Sequence, residues 1–480
     1  MLFVGGLIAA LIVISPDRAV HPDELSHLPV FHYYARHWLA PPVDDPAVIP
    51  SLSVWGYSYL YELSIVYRIA AWLMAPLAPI AGGELAVARA FQWLLWMLLT
   101  CVCLRSRRFA LPMSVLLLSP QVWYLFGYFN SDAFALFLAA ILILTVYPAS
   151  RGVHAYVARG DADARFVVFV ICTGLLLVSK ADFLPLLPGV LLWIAVPHLP
   201  IRFGELLGCF LGLSLLGTAV FTADVPGFAL AHLPAYATAC AVTILASVTA
   251  TAVRRCLRDR EHRGRLRRLI AVAALIVAVA GPRLVEDVAR NGMPAEKAAR
   301  MTAMEQAHAI AGVKPDVIAR GEGTLLTGLA QRGVGLADML FSPPYDWFRR
   351  SALSTFGVYG YLVIFAPWWT YYAQMFAILC LAAVGAIALW RAAPEKAPQL
   401  LMVAIGTAFV VLLSSALHSW TFAFQAQGRY LLPILFMLGL MLGHASRELP
   451  RRPVALVVGV AFVASVCSFA FVALPAFARL

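Results

Sequence analysis

Apolar runs long enough to cross a lipid bilayer recur along the whole of this 480-residue chain, and they restrict its fold more than any other feature. The chain is 62% hydrophobic and only 13% charged. A soluble domain of this size needs more charge on its surface than that. Because backbone polar groups must be paired inside the hydrocarbon layer, the runs predict an all-α fold, a polytopic transmembrane helical bundle.

Hydropathy predicts about thirteen spans, with the N-terminus in the cytoplasm and the C-terminus outside. The first, residues 2–15, is about 20 Å long at 1.5 Å per residue and lacks the flanks of a cleaved signal peptide. The other predicted spans lie near 86–104, 110–127, 131–149, 166–180, 183–198, 204–222, 231–252, 269–285, 370–390, 399–417, 428–444 and 453–475. Residues 56–80 carry Glu62 and Arg68 and predict a re-entrant or interfacial helix pair instead of a span.

Basic residues are concentrated in alternate short loops, which the positive-inside rule places in the cytoplasm. These loops are 105–109, 150–165, 199–203, 253–268, 391–398 and 445–452. The net charge of +11 invites a nucleic-acid interpretation, but its distribution follows membrane topology. We therefore expect the arginine cluster at 254–268 to face anionic lipid, and we expect no nucleic acid as a partner.

The pattern divides the chain into three segments. Residues 1–285 form an N-terminal transmembrane module with a first outside loop at 16–80, residues 286–367 form an extracytoplasmic segment, and residues 368–480 are C-terminal transmembrane helices. In the middle segment, apolar residues at near-helical spacing predict a helix from Pro294 to Ile310. This segment is either a lid over a site or a small cap without chemistry.

On this topology the polar motifs of the chain all face the outside. They are His21–His27, Asn130–Asp132, Ser179–Asp182, the 286–367 segment and Gln425–Tyr430. Ionisable groups at membrane depth cost free energy unless they are paired, hydrated or used. Unrelated loops would not need to share such groups on one face, so the sequence predicts a single site.

The residue types in these motifs suit the transfer of a group from a lipid phosphate. The leaving phosphate needs a cation to hold its developing charge, and the acceptor hydroxyl needs a carboxylate as base. Asp23 is the predicted base, with Glu24 as the alternative. A plainer interpretation of the same stretch is a helix start, with Pro22 and the two carboxylates in the first turn.

Arg429 and Lys180 are the predicted phosphate-binding residues, the arginine through its planar fork and the lysine as a point charge. Lys180 ends a predicted span, so snorkelling to the interface or pairing with Asp182 is an alternative. Arg429 begins a span on the outside, next to Gly428.

Further polar side chains of these motifs are predicted to bind substrate: His21, His27, Asn130, Asp132, Asp182, Gln427 and Tyr430. Asp132 stands where a carboxylate would equally cap a helix. The aromatic residues Tyr128, Trp420 and Tyr430 would stack on a sugar or belong to the interfacial aromatic belt.

No cofactor is expected. A divalent metal held by the two histidines and the carboxylates of the first motif stays open as an alternative, although their spacing matches no strong ligand pattern. The eight cysteines lie in apolar segments or at their basic ends and indicate no disulfide framework and no zinc site.

Taken together, the motifs resemble those of a bacterial family of GT-C-type membrane glycosyltransferases that was long described only as a membrane domain of unknown function. The residues that carry the resemblance follow one another in the same order over nearly the whole chain: Pro22-Asp23-Glu24 with His27, Asn130-Ser131-Asp132, Lys180, Phe356-Gly357 and Gln427-Gly428-Arg429-Tyr430-Leu431-Leu432-Pro433. One departure is that Ala181-Asp182 follows Lys180 where a proline is expected sooner.

The resemblance implies an inverting transfer of a sugar from a polyprenyl-phosphate donor to a cell-envelope glycan or lipid. It places the reaction at the outer face of the bacterial cytoplasmic membrane, with Asp23 as the acidic base of the first outside loop. Two other functions remain: a flippase or transporter of lipid-linked sugars, and a ligase or polymerase that uses a pyrophosphate-lipid donor. Transporters often show repeats between their halves, and none is visible in this sequence.

Overall fold

The structure, a computed structural model, describes residues 1–15, 20–105, 109–147, 151–222 and 233–480. The chain is 74% helical with almost no strand, which confirms the all-α prediction. Four short stretches lie outside the described residues: 16–19, 106–108, 148–150 and 223–232. They include the start of the predicted first outside loop, parts of two predicted cytoplasmic loops and the ends of two predicted spans.

The helices and strands follow one another along the chain in three groups. The first group is α1 (Leu2–Ile14), α2 (Glu24–Tyr34), α3 (Val66–Met74), α4 (Glu84–Arg105), α5 (Ala110–Met113), α6 (Pro120–Leu125), α7 (Asp132–Val146), α8 (Val153–Arg159), α9 (Ala164–Leu177) and α10 (Leu186–Ala195). The second is α11 (Phe203–Thr222), α12 (Leu233–Arg258), α13 (Arg260–Asn291), α14 (Pro294–His308), α15 (Pro315–Ala319), α16 (Leu336–Phe341) and α17 (Trp347–Thr355). The third is the antiparallel pair β1 (Val358–Tyr359) and β2 (Ile364–Phe365), then α18 (Trp368–Ala392), α19 (Ala397–Thr421), α20 (Pro433–His444), α21 (Arg451–Ser468) and α22 (Leu474–Ala478).

Seven helical segments among the described residues are long and apolar enough to cross a membrane: α4, α11, the part of α12 from Ala237 to Arg258, α13, α18, α19 and the continuous stretch from Arg451 to Ala478. Shorter apolar helical segments include α1, α7 and α9. This set of apolar helices identifies a membrane protein by length and composition.

Helix α7 lies at the centre of the bundle. All but two of its residues are buried, and it packs against α4, α9 and α20. A helix that is apolar on every side is stable only when other helices surround it. Its alanines at 133, 135, 139 and 140 let those helices approach closely. At 15 residues, α7 is about 22 Å long, so it is shorter than the ~30 Å hydrocarbon layer around the bundle.

The predicted span at 110–127 is not one continuous helix. The backbone forms α5, a 3-10 turn at Ser114–Leu117, and then α6. Ser119 is extended because the ring of Pro120 disfavours helical geometry in the residue before it. Irregular backbone at membrane depth is tolerated where protein covers it, and Ser119 and all of α6 are buried.

Residues 56–80 form one short α-helix, α3, flanked by 3-10 turns, instead of the predicted helix pair. Two contacts with α13 hold this segment in place. The Arg68 guanidinium pairs with Glu286 at 2.7 Å, and Arg283 donates a hydrogen bond of 2.8 Å to the Glu62 carbonyl. The Arg68 side chain and the Glu62 backbone thus bind α13.

Loops with a predicted cytoplasmic location meet at one end of the bundle. Arg255 donates to the Pro200 carbonyl at 2.8 Å, and Arg268 donates to the Val157 carbonyl at 2.8 Å. The junction between α12 and α13 therefore contacts both the chain before α11 and helix α8. Several of the cluster's arginines thus also bind backbone carbonyls of neighbouring loops.

The segment between α13 and α18 covers the end of the bundle opposite to these loops. Its first helix, α14, spans Pro294–His308, which confirms the helix predicted there. The Ile310 amide donates to the Val54 carbonyl at 3.1 Å, and the Gly328 amide donates to the Phe422 carbonyl at 2.9 Å. The segment thus contacts the first polar loop and the end of α19. Helix α13 continues to Asn291, so the predicted boundary after residue 285 falls inside a helix.

Candidate functional site

Five charged side chains from four parts of the sequence form a chain of ion pairs. Arg429 contacts Asp23 at 3.1 Å through Nη2 and Asp132 at 3.6 Å through Nη1. The Lys180 ammonium lies 3.9 Å from Asp132 and 3.8 Å from Asp182. Side chains from four of the five predicted motifs therefore lie close together.

Each member of this cluster stands at or just before the start of a helix. Asp23 precedes α2, Asp132 is the first residue of α7, Lys180 precedes α10 by a 3-10 turn, and Arg429 lies in the 3-10 turn before α20. Helix starts carry unpaired N–H groups and partial positive charge. Several of them meeting at one place favour an anion there, and this arrangement adds to the two cationic side chains.

Asp23 has a strained backbone. Its φ is +61°, so it adopts the left-handed conformation, which is costly for any residue with a Cβ and less so for aspartate than for most. Helix α2 therefore begins at Glu24, later than the predicted first turn at Pro22. Strained positions that persist are concentrated at functional sites. The Asp23 side chain is 39% exposed, so it is the most accessible member of the ion-pair cluster.

The electrostatic surroundings keep Asp23 ionised and His27 neutral. Burial acts to raise the pKa of the Asp23 carboxyl, but the neighbouring Arg429 and Lys180 outweigh it and hold that pKa below its usual range. Burial lowers the pKa of His27 to about 3. The His27 ring is therefore uncharged at neutral pH, and it hydrogen-bonds the Tyr67 hydroxyl at 2.8 Å.

Arg429 is held by its neighbours but keeps unused binding capacity. Its guanidinium lies 5.2 Å from the centre of the Tyr430 ring, and its Nη2 donates to the Tyr430 hydroxyl at 3.2 Å. That hydroxyl in turn donates to Gln425. Among the described residues, nothing accepts a hydrogen bond from Nε of Arg429, although the atom is buried. A buried donor of this kind suits an anionic ligand.

Gly428 lets the Arg429 turn approach α17. A Cβ at this position would lie 2.0 Å from the backbone nitrogen of Thr355 and 2.3 Å from its Cα, and backbone atoms cannot move aside cheaply. The Gly428 amide also donates to the Ser354 hydroxyl at 2.5 Å. The glycine of the Gln-Gly-Arg motif is therefore required for packing that positions the arginine.

Gly428→Ala is expected to destabilise the protein by about 1–3 kcal/mol, the usual range for overpacking, and to shift Arg429 relative to Asp23 and Asp132. Thermal unfolding in detergent measures the loss of stability. Gly459→Ala is the matched control, because its Cβ would meet nothing within 4 Å. Equal behaviour of the two variants would contradict this account.

Glu24 lies in a different environment from Asp23. Its side chain is 1% exposed and forms a two-point ion pair with Arg89, at 3.0 Å and 2.6 Å. Its carboxylate also accepts from the Phe129 amide at 2.8 Å. All these partners belong to the protein, so the placement argues against the predicted role as alternative base.

Glu24→Gln is expected to act on stability instead of chemistry. Breaking a buried ion pair leaves an uncompensated charge and costs about 3–5 kcal/mol. The unfolding temperature and the yield of folded protein in detergent should both fall. Glu395→Gln, at an exposed position, should change neither. A well-folded Glu24→Gln protein that has lost activity would make Glu24 a candidate base again.

Two other predicted substrate ligands form buried hydrogen bonds within the protein. His21 is 0% exposed and bonds the Tyr124 hydroxyl and the Ser15 hydroxyl, each at 2.9 Å. Asn130 is also 0% exposed, and its Oδ1 accepts from the Ala133 amide at 2.9 Å. The helix-capping role considered for Asp132 thus falls to Asn130, which leaves the Asp132 carboxylate for Arg429 and Lys180.

Three other predicted ligands lie in the ion-pair cluster or next to it. Gln427 and Tyr430 flank the Gly428–Arg429 turn, and Asp182 is partly exposed beside Lys180. Glu62 also belongs to this environment, because burial raises the pKa of its carboxyl while Lys180 acts to lower it. The sequence showed Glu62 as a lone carboxylate in an aromatic segment but gave no sign of its neighbours.

A cavity of about 110 Å³ opens beside Asp23 and Arg429. Its other walls come from α6, the end of α17, the β1–β2 hairpin and Gln427. Gln121, at the start of α6, lines this cavity and was missed by the sequence analysis. The available signal was a polar amide directly after Ser119-Pro120 within an otherwise apolar run.

No group of three or more histidine, cysteine or carboxylate side chains in the described part of the chain is arranged to hold a metal ion. The cofactor prediction stays a prediction. In comparisons with known proteins, no family model, no curated protein and no solved structure matched the chain. The family resemblance therefore also stays a prediction, and the function must be argued from the site.

Proposed function

We propose that this protein is an inverting membrane glycosyltransferase that moves a sugar from a polyprenyl-phosphate donor to a cell-envelope glycan or lipid. The observation that carries the proposal is the contact of Asp23, a strained and partly exposed carboxylate, with Arg429 inside the ion-pair cluster. A base for an acceptor hydroxyl and cations for a leaving phosphate are the groups that such a transfer needs.

In the proposed reaction, Asp23 accepts the proton of the acceptor hydroxyl while the hydroxyl oxygen bonds to the anomeric carbon of the sugar. The bond between that carbon and the phosphate oxygen breaks, and the polyprenyl phosphate leaves with the bonding electrons. Arg429 and Lys180 stabilise the charge on the departing phosphate. The proton on Asp23 then passes to water, which restores the carboxylate.

The in-line geometry of inversion requires the sugar to lie between base and phosphate. The 3.1 Å contact between Asp23 and Arg429 leaves no room for a sugar, so it belongs to the free enzyme. On donor binding, Arg429 exchanges the carboxylate for the phosphate. The buried Nε of Arg429, which has no partner in the described part of the chain, gives the guanidinium further capacity for that ligand.

For the membrane arrangement we propose about thirteen crossings with the N-terminus inside and the C-terminus outside, as in a GT-C-like fold. The long apolar helices, five of the shorter ones and the broken segment from α5 to α6 would make these crossings. The site and the 286–367 cap would then face the outside of the bacterial cytoplasmic membrane. Labelling single cysteines at Arg263 and Arg300 from each side tests this arrangement, which requires opposite accessibility.

The direct test uses the purified protein in liposomes with undecaprenyl-phosphate sugars whose sugar is radiolabelled. We expect label to pass to a cell-envelope extract and undecaprenyl phosphate to accumulate. Movement of intact labelled lipid between leaflets without cleavage would indicate a flippase. Transfer only from pyrophosphate-linked glycans would indicate a ligase or polymerase. Either of these two results would overturn the proposal.

A further inference from the structure

The cavity beside Asp23 has a composition that the donor phosphate does not explain. Asp23 and Arg429 line it, whereas Lys180, Asp132 and Asp182 do not. It therefore extends away from the Lys180 end of the ion-pair cluster. If the phosphate binds at Lys180 and Arg429, this cavity is the space left for the other reactant.

Gln121 lines this cavity, and its side chain carries a polar atom that the described part of the protein leaves unpaired. The residue is 6% exposed, and its Oε1 has no hydrogen-bond partner among the described residues. Leaving a buried amide oxygen unpaired is costly, so such an atom usually meets water or a ligand. The cavity has room for both, since a water needs only about 10–15 Å³ on this scale.

The two polar groups together require a ligand with two hydrogen-bond donors. An ionised Asp23 carboxylate only accepts hydrogen bonds, and so does the Gln121 Oε1 atom. A single O–H cannot satisfy both at full strength. A ligand with at least two hydroxyls can offer one to the base and the other to the amide, whereas a serine or threonine side chain has only one.

Another wall of the cavity is the loop of the β1–β2 hairpin. Leu362 has a φ of +61° and Gly360 a φ of +63°, and both residues line the cavity. Asp23 and Leu362, two non-glycine residues with a positive φ, thus face the same space. Tyr361, which is 54% exposed, lies between Gly360 and Leu362 and offers an aromatic face to a sugar ring.

We propose that this cavity is the acceptor site of the transferase, that it takes a polyhydroxylated acceptor, namely a carbohydrate, and that Gln121 positions the acceptor against Asp23. This inference rests on the proposed function, because it assumes that the donor phosphate lies at Lys180 and Arg429. Gln121 is a positioning residue here, since it binds the acceptor without taking its proton.

Binding measurements on the full-length protein in nanodiscs test the two sites separately. The acceptor probes are methyl α-glucoside, methyl α-mannoside and methyl α-galactoside, and their binding is measured by saturation-transfer NMR. The probe for the donor site is undecaprenyl phosphate. In Gln121→Leu we expect binding of the preferred methyl hexoside to weaken about tenfold, the loss typical of one good hydrogen bond, with undecaprenyl phosphate affinity unchanged. Lys180→Met should show the reverse pattern.

Gln374→Leu is the matched control for replacing a buried glutamine. Gln374 is 0% exposed and its amide bonds Ser465, outside the cavity. This variant should keep both affinities, whatever its effect on stability. Gln121→Glu keeps an accepting oxygen in the same place, so it should retain more hexoside binding than Gln121→Leu.

The results separate the two hypotheses. If undecaprenyl phosphate binds independently of Lys180, the proposed function loses its donor site. If that binding depends on Lys180 but no methyl hexoside binds, or hexoside binding ignores Gln121, the acceptor-site inference is overturned while the proposed function stands. If Gln121→Leu instead weakens binding of the donor lipid, the cavity belongs to the donor.

Discussion

Asp23→Asn is expected to lower the rate of sugar transfer by about 10²–10⁴-fold, the contribution usual for a positioned general base. Asparagine has nearly the shape of aspartate and tolerates the left-handed backbone that this position requires, with φ of +61°. It cannot take a proton from the acceptor at neutral pH. The measurement is the rate of undecaprenyl phosphate release from a radiolabelled lipid-phosphate sugar in liposomes.

The fold of the Asp23→Asn protein should be preserved, because the Asp23 side chain is 39% exposed and its one short ion pair is with Arg429. Thermal unfolding and undecaprenyl phosphate binding provide that check. Asp44→Asn is a control for the loss of one exposed carboxylate from the same polar loop, and it should transfer at the normal rate. Full activity of Asp23→Asn would remove the assigned base.

The meeting of Asp23, Asp132, Lys180 and Arg429 was predictable because a charge at the start of an apolar run is costly unless it is paired, hydrated or used. Each residue precedes or begins a helix in the structure, and the positive-inside pattern assigned all of them to one side. The sequence therefore predicted which motifs would meet. It did not predict their order along the cluster, with Arg429 between the two aspartates.

Glu24 shows where sequence reasoning fails. Asp23 and Glu24 are adjacent carboxylates in the same motif, and nothing in the sequence separates their roles. The left-handed turn at Asp23 directs the two side chains to different partners, Arg429 for Asp23 and Arg89 for Glu24. Arg89 lies inside a long apolar run, so its pairing depends on packing between helices that are far apart in the sequence.

The cavity was not predictable for a similar reason. Ser119 donates to the Thr355 carbonyl at 2.5 Å, and the Gly360 amide donates to the Tyr124 hydroxyl at 3.2 Å. These contacts join the broken helix segment to the end of α17 and to the hairpin, across more than two hundred residues. Hydropathy predicts a span at residues 110–127. A continuous helix there would place Gln121 in its middle instead of at a cavity wall.

Arg429→Met is expected to lower transfer by about 10²–10³-fold and to move the acid limb of its pH profile to higher pH. In the wild type, Arg429 and Lys180 hold the pKa of Asp23 below its usual range against the effect of burial. The active form is the carboxylate, so the wild-type rate falls only as pH drops through that lowered pKa. Without the guanidinium, burial is less opposed, the pKa of Asp23 rises, and activity is lost at a less acidic pH.

The pH dependence of kcat/KM, measured in liposomes buffered from about pH 4 to pH 8, distinguishes this account from a purely structural effect. Arg429→Lys keeps the charge but loses the fork, so it should recover most of the acid limb and only part of the rate. Arg349→Gln removes an exposed arginine that pairs with Asp346, and it should alter neither quantity. An Arg429→Met protein with reduced rate but an unshifted acid limb would show that the arginine does not control the charge of Asp23, and the base would have to be sought elsewhere in the cluster.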